Sequence, residues 1–135
     1  MPPVRILGYP LATVLAEKLT TAIELGAGNS RIRDYTDIWT LTGIHHLDTT
    51  DIREALQTTA AHRRINLRPL SEVVADLASV RAATYATYRR RLGQDASHLP
   101  EAFATVIDDV IAFVDPLLRD GVPQNWDPHL RAWTP

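Results

Sequence analysis

Two short segments hold residues whose type and spacing could do chemistry. On a helical wheel at about 100° per residue, Leu11, Val14, Leu15, Ala22 and Leu25 gather on one side, with Leu19 at the margin. Lys18 falls inside that stripe, whereas a surface lysine would belong with Thr13, Glu17 and Thr20 on the opposite face. Taking an ammonium out of water costs on the order of several kcal/mol unless an anion meets it. One answer is that the stem packs and the amine reaches solvent or a structural carboxylate. The other is a nucleotide phosphate, which a lysine binds as a compact point charge. The second segment reads Arg31-Ile32-Arg33-Asp34-Tyr35-Thr36-Asp37-Ile38-Trp39. Asp34 and Asp37 are helical neighbours, and two carboxylates that close repel unless a metal ion or a cation relieves them. Acids early in a helix also favour its N-terminal dipole, and Arg31 or Arg33 can pair with them.

These residues need elements to carry them. Val4 to Leu7 reads as one short strand, which expects partner strands outside this chain or acts as a pinned arm. After Pro10 the period becomes helical. A first helix spans about Leu11 to Leu25 and stops at Gly26-Ala27-Gly28-Asn29. Ser30 caps a second helix with Ile32, Tyr35, Ile38, Trp39 and Thr42 on one face, ending at Gly43. Asp51 and Glu54 make a capping-box start for a third helix that ends near Arg64. Pro69 introduces a fourth, with Leu70, Val73, Val74, Leu77, Val80, Thr84, Tyr88 and Leu92 at helical spacing, ended by Gly93. Pro100 opens a fifth, carrying Phe103, Val106, Ile107, Val110, Phe113, Val114 and Leu117, and Pro116 bends or ends it. The tail from Gly121 to Pro135 packs back irregularly over the helices. The expected fold is mainly α: about five helices preceded by one short N-terminal strand.

Composition bounds the functions that this fold could serve. The 135 residues suit a single domain, with 45% hydrophobic and 22% charged residues, as in an ordinary globular protein. The absence of Cys excludes disulfides, thiolate metal sites and cysteine nucleophiles, and it suits a cytoplasmic protein. Charged residues interrupt the longest apolar runs well below membrane-spanning length, and Met1 to Gly8 is too short an apolar stretch for a signal peptide. A net charge of −2 argues against a surface that binds nucleic acid everywhere, and leaves room for a local basic face. No P-loop, dinucleotide fingerprint, zincin or nucleophile-elbow motif is present.

Tyr9-Pro10-Leu11-Ala12-Thr13-Val14-Leu15-Ala16-Glu17-Lys18-Leu19, followed by the segment Arg31 to Trp39, resembles the third and fourth motifs of the AbiEii/AbiGii nucleotidyltransferase toxin family. The specific likeness covers about Val4 to Gly43. The resemblance implies that Lys18 contacts a nucleoside triphosphate and that Asp34, with Asp37, assists catalysis, Arg31 and Arg33 supporting. It implies Mg²⁺ and an NTP as cofactors, RNA (tRNA) as acceptor, and a cognate antitoxin protein in a toxin–antitoxin or abortive-infection system. The Val4–Leu7 strand would then complete a nucleotidyltransferase-type sheet. The family's paired metal-binding acids precede this region and have no counterpart before Val4. Positions 1–135 therefore read as the C-terminal helical part of such a transferase, incomplete without an N-terminal catalytic lobe. The rival expectation is a non-catalytic helical module that binds a partner protein or RNA.

Other polar clusters carry weaker signals. His45-His46 with Asp48 and Asp51 invites a metal, but adjacent histidines rarely point at one ion. Arg89, Arg90 and Arg91 close the fourth helix, as His62-Arg63-Arg64 close the third, and the helix dipole explains both. Under the family resemblance they would also form a basic rim for RNA. Tyr85 and Tyr88 pack in the core or stack on bases. Asp108-Asp109 read as a solvated face.

Overall fold

The computed structural model describes residues 5–6, 9–26 and 32–135. Arg5–Ile6 (β1) and Tyr9–Pro10 (β2) pair antiparallel, so the N-terminal strand has a local partner that period and composition did not suggest. The helices are α1 (Leu11–Leu25), α2 (Ile32–Thr42), α3 (Thr49–Arg63), α4 (Leu70–Val73), α5 (Leu77–Val80), α6 (Ala82–Leu92) and α7 (Phe103–Val114). The chain is mainly α, as the hydrophobic periods indicate. The expected caps at Ser30 and the turn residues 27–29 lie outside the described residues.

α7 carries the most apolar sequence and sits at the centre. Its Phe103, Val106, Ile107, Val110, Phe113 and Val114 are all buried, and α2, α4, α5, α6 and the C-terminal strand pack on it. This geometry corrects the expectation of one fourth helix from Pro69 to Leu92. An unbroken 24-residue helix would be about 36 Å long, against about 18 Å for α7. Breaks at Val74 and Arg81 bend the segment instead, so that Leu70, Val74, Leu77 and Tyr85 all reach the core. No Gly or Pro marks either break. Tertiary packing overrides the local period here.

The apolar face of α1 is also rotated from its expected position. Its buried residues are Leu11, Leu15, Ala16, Leu19, Thr20, Ala22 and Ile23, while Leu25 is exposed. The buried arc centres near Leu19, a turn of about 70°. Thr20, expected on the solvent face, is fully buried, and Lys18 lies on the border of the arc rather than within it. Gly26 ends α1 with φ +55°, and a Cβ there would stand 3.0 Å from the Val73 carbonyl oxygen. Both facts favour glycine.

α3 starts three residues earlier than the Asp51–Glu54 capping signal suggests. Asp48 is the cap, its carboxylate accepting from the Asp51 backbone N–H at 3.1 Å. α7 ends at Val114, and a 3₁₀ turn, Asp115–Leu118, contains Pro116. Asp115 is 9% exposed and accepts from Leu70 N (2.6 Å), Ser71 N (3.3 Å) and Ser71 Oγ (2.7 Å), tying α4 to the end of α7. Asp115→Ala leaves those donors without an acceptor and should destabilise the chain by about 2–3 kcal/mol. Urea unfolding would measure this, and a loss below about 0.5 kcal/mol would contradict the buried capping role.

The tail forms a sheet rather than the irregular covering expected of it. Leu47–Asp48 (β3), Asn125–Asp127 (β4) and Ala132–Thr134 (β5) pair antiparallel in that order, with Leu47 opposite Trp126 and Trp126 opposite Trp133. Asp127 closes the β4–β5 hairpin by accepting from His129 N at 2.8 Å and Leu130 N at 3.2 Å. The hydrogen bond from Leu130, with that from His129, holds its carboxyl below the usual carboxylate range.

Candidate functional site

α1 and α2 pack against each other, and the contact brings the predicted chemistry together. The Lys18 Nζ lies 3.1 Å from Asp37 Oδ2 and 3.5 Å from Asp34 Oδ1. Lys18 is 26% exposed, Asp34 19% and Asp37 37%, so the triad sits at the rim of the core rather than in free solvent. Lys18 is the middle residue of α1, with about two turns of helix on either side. Asp34 and Asp37 occupy the first turns of α2, beside its buried face of Ile32, Tyr35, Thr36, Ile38 and Thr42. Arg33 Nε adds a longer contact to Asp37 at 3.9 Å and is otherwise exposed. Arg31 lies outside the described residues.

α2 is clamped along its length by residues far away in sequence. At its start, Thr36 Oγ donates to the Arg33 carbonyl at 3.0 Å and shares a 3.3 Å hydrogen bond with the Tyr88 hydroxyl. At its end, Trp39 Nε1 donates to Asp109 Oδ2 at 2.7 Å, so Asp109 is a partner of α2 rather than part of a solvated face. The Arg131 guanidinium lies 3.8 Å from the Trp39 ring centroid and donates from Nη2 to the Trp39 carbonyl at 3.1 Å. Burial pushes the Arg131 guanidinium below its usual value, and Asp109 works in the opposite direction. A Cβ at Gly43 would overlap that guanidinium, so a larger residue there would push Arg131 from its seat on Trp39. These supports lie 52 to 92 positions from their partners. Only the gathering of two of the chain's three Trp residues in the tail hinted at them.

Of two hollows in the surface only the second is lined by a member of the triad, and their charges differ. The larger, about 890 Å³, lies beside α1 and α3 and is edged by Glu17, Asp48, Asp51 and Glu54 with His46 and His62. Four carboxylates there would repel a polyphosphate. The second, about 750 Å³, lies between α2 and α6 and is lined by Arg33, Asp34, Thr84, Thr87, Tyr88 and Arg91, among others. It opens directly beside the triad through Asp34. The three arginines that close α6 do not share a face, as consecutive helical residues cannot. Arg91 lines this second hollow, Arg90 donates to Thr87 Oγ at 3.0 Å, and Arg89 is half-buried with its Nε out of solvent. Tyr85 is buried and stacks on Phe103 at 4.9 Å, so it belongs to the core. Burial pushes its hydroxyl up from the usual tyrosine value, Arg89 opposing the shift.

Among the described residues, no group of three or more His, Asp or Glu side chains is arranged to hold a metal ion. His45 and His46 join no such group with Asp48 and Asp51. Asp34 and Asp37 do converge, but on an ammonium. The described residues therefore do not fit the Mg²⁺ that the resemblance implies.

The sequence profile described as nucleotidyl transferase AbiEii toxin, type IV TA system, matches residues 1–110. The chain belongs to this family. Comparison with curated proteins and with solved structures found no match. The AbiEii match spans both motif segments and continues through α6 into α7. It leaves out the β4–β5 hairpin that completes the support of α2. Membership in a type IV toxin–antitoxin family implies an antitoxin partner. Among the described residues, no helix is long and apolar enough to cross a membrane.

Proposed function

We propose that this chain forms the helical wall of the donor site in a toxin that transfers a nucleotidyl group from an NTP to an RNA end, with tRNA as the acceptor. Lys18 grips the triphosphate, Asp34 and Asp37 aim the lysine and assist catalysis, Arg33 adds positive charge at the rim, and Arg31 is a supporting residue. Positions 1–135 act as one domain of the transferase, and an N-terminal catalytic lobe supplies the carboxylates that hold Mg²⁺. The protein works in the cytoplasm beside its cognate antitoxin.

The observation that carries this reading is the ammonium held between two aspartates at the edge of a core. An ammonium has three N–H donors. The aspartates take two, which leaves one for an anion at a fixed position. The triad alone has a net charge of −1, so it would not attract a polyphosphate. Arg33 and Arg91 at the neighbouring groove raise the local sum to +1, a field that favours a polyphosphate at Lys18 without either guanidinium touching it.

Calorimetric titration of an NTP with Mg²⁺ into this chain and into Lys18→Ala tests the proposal. Loss of one charge-assisted contact should weaken binding about ten- to a hundredfold. Equal, measurable heats from the two proteins would remove Lys18 from the donor site, and no heat from either would mean that this chain holds no donor site by itself.

A further inference from the structure

The groove between α2 and α6 carries cationic and aromatic groups that do not touch the Lys18 ammonium. Arg33 on α2 is 81% exposed, and its ion pair with Asp37 is long at 3.9 Å. Arg91 on α6 is also exposed and lines the same hollow. The one carboxylate there, Asp34, already faces an ammonium. A chain with net charge −2 thus carries a local excess of guanidinium groups along one groove. Guanidinium forks suit phosphate oxygens better than any other common anion in size and geometry.

Tyr88 supplies the second element. Its ring lines the groove, and its hydroxyl is tied to Thr36 at 3.3 Å, with Thr36 tied in turn to the Arg33 carbonyl at 3.0 Å. The ring is therefore held in place before anything binds, which lowers the entropy lost on stacking. Thr84 and Thr87 add hydroxyls on the same wall. An aromatic face, flanking cations and hydroxyls are the parts of a site for a single-stranded polynucleotide. A duplex keeps its base faces stacked and could not present one to a half-buried ring.

We infer that the α2–α6 groove seats the end of a single-stranded RNA acceptor, a phosphate between Arg33 and Arg91 and a base on Tyr88, leading the terminal nucleotide toward Lys18. The inference deepens the proposed function and rests on it for the role of the bound strand. Asp34 marks the join: it lines the groove and touches Lys18. Of the α6 arginines, only Arg91 lines the groove; Arg90 is spent on the Thr87 hydroxyl, and Arg89 lies beside Tyr85.

Fluorescence anisotropy with a labelled ten-nucleotide single-stranded RNA, and with the same strand annealed to its complement, provides the test. Two phosphate contacts predict that affinity for the single strand falls about sevenfold between 50 and 200 mM salt. Arg33→Gln with Arg91→Gln should weaken binding about tenfold and flatten the salt dependence. Tyr88→Leu should weaken it about tenfold, and Tyr88→Phe, which keeps the ring and loses only its tie to Thr36, should weaken it less. Thermal melts accompany each variant; because both arginines are exposed, their pair remains informative even if Tyr88→Leu unfolds. The inference is overturned by undetectable binding, by equal or tighter binding of the duplex, or by a double arginine variant that binds like the parent. Displacement of the probe by an NTP would also overturn it, since the groove would then be the donor seat. Titrating NTP into the same preparation separates the two claims. RNA binding without NTP binding sinks the donor site alone, and the reverse result sinks the acceptor groove alone.

Discussion

Asp34→Asn combined with Asp37→Asn will bind an NTP about tenfold more tightly than the parent chain, while transferring it far more slowly. The two carboxylates hold Lys18 at 3.5 and 3.1 Å, so a phosphate on the third N–H must approach both of them. At about 6 Å in a water-like medium, each carboxylate repels a phosphate charge by about 0.7 kcal/mol. Removing both charges recovers about 1.4 kcal/mol, or one factor of ten. The asparagine oxygens still accept from the ammonium, so Lys18 remains roughly in place. What is lost is the charge that fixes its aim, and a small misplacement at a reacting centre costs on the order of a hundredfold in rate. Calorimetry reads the first effect, and a transfer assay with the intact transferase reads the second. Weaker NTP binding in the double variant would mean that the carboxylates recruit a metal, and their role as holders of Lys18 would fall.

Trp126→Ala should cost about 3–5 kcal/mol of folding stability, a large part of the 5–15 kcal/mol typical of a domain. Trp126 is fully buried and central in its sheet, between β3 and β5. It packs edge-on to Phe113 at 4.8 Å and lies 5.3 Å from the Trp133 ring. Its Nε1 donates to the Thr42 carbonyl at 2.7 Å, which ties the tail to the last turn of α2. Alanine opens a cavity and orphans that carbonyl. Phenylalanine fills most of the space and loses only the hydrogen bond, so Trp126→Phe should cost about 1–2 kcal/mol. Urea unfolding followed by circular dichroism would rank the pair, and a cost below 1 kcal/mol for alanine would show that the tail does not pack as described. Because β4 abuts α2, the alanine variant should also loosen the carboxylates from Lys18, weakening any effect of a second substitution there.

Much of the site was legible because its information is local. Lys18 stands out by type against its apolar neighbours, and the three-residue spacing of Asp34 and Asp37 puts them on one flank of any helix. The family motifs lie in the same stretch, and the family match covers them. The premise behind Lys18 was only partly sound, since the lysine borders the buried arc. Its pairing held because an arc edge facing α2 is as close to the aspartates as the middle would be. Asp109 was misread for a related reason: an acid on an exposed-looking flank gives no sign that a tryptophan 70 positions away will donate to it.

The order of residues alone determined that α1, α2 and α7 are helices, where α3 stops, and which ionisable groups the first two helices offer one another. Helical period, capping and turn chemistry act within a few residues, so the chain states them directly. Only the tertiary structure decided which arc of α1 is buried, how residues 69–92 break around α7, and that positions 47 and 126 share a strand ladder. Those outcomes depend on which surfaces compete for the same apolar contact, and the free energy of that contest belongs to neighbours distant in sequence.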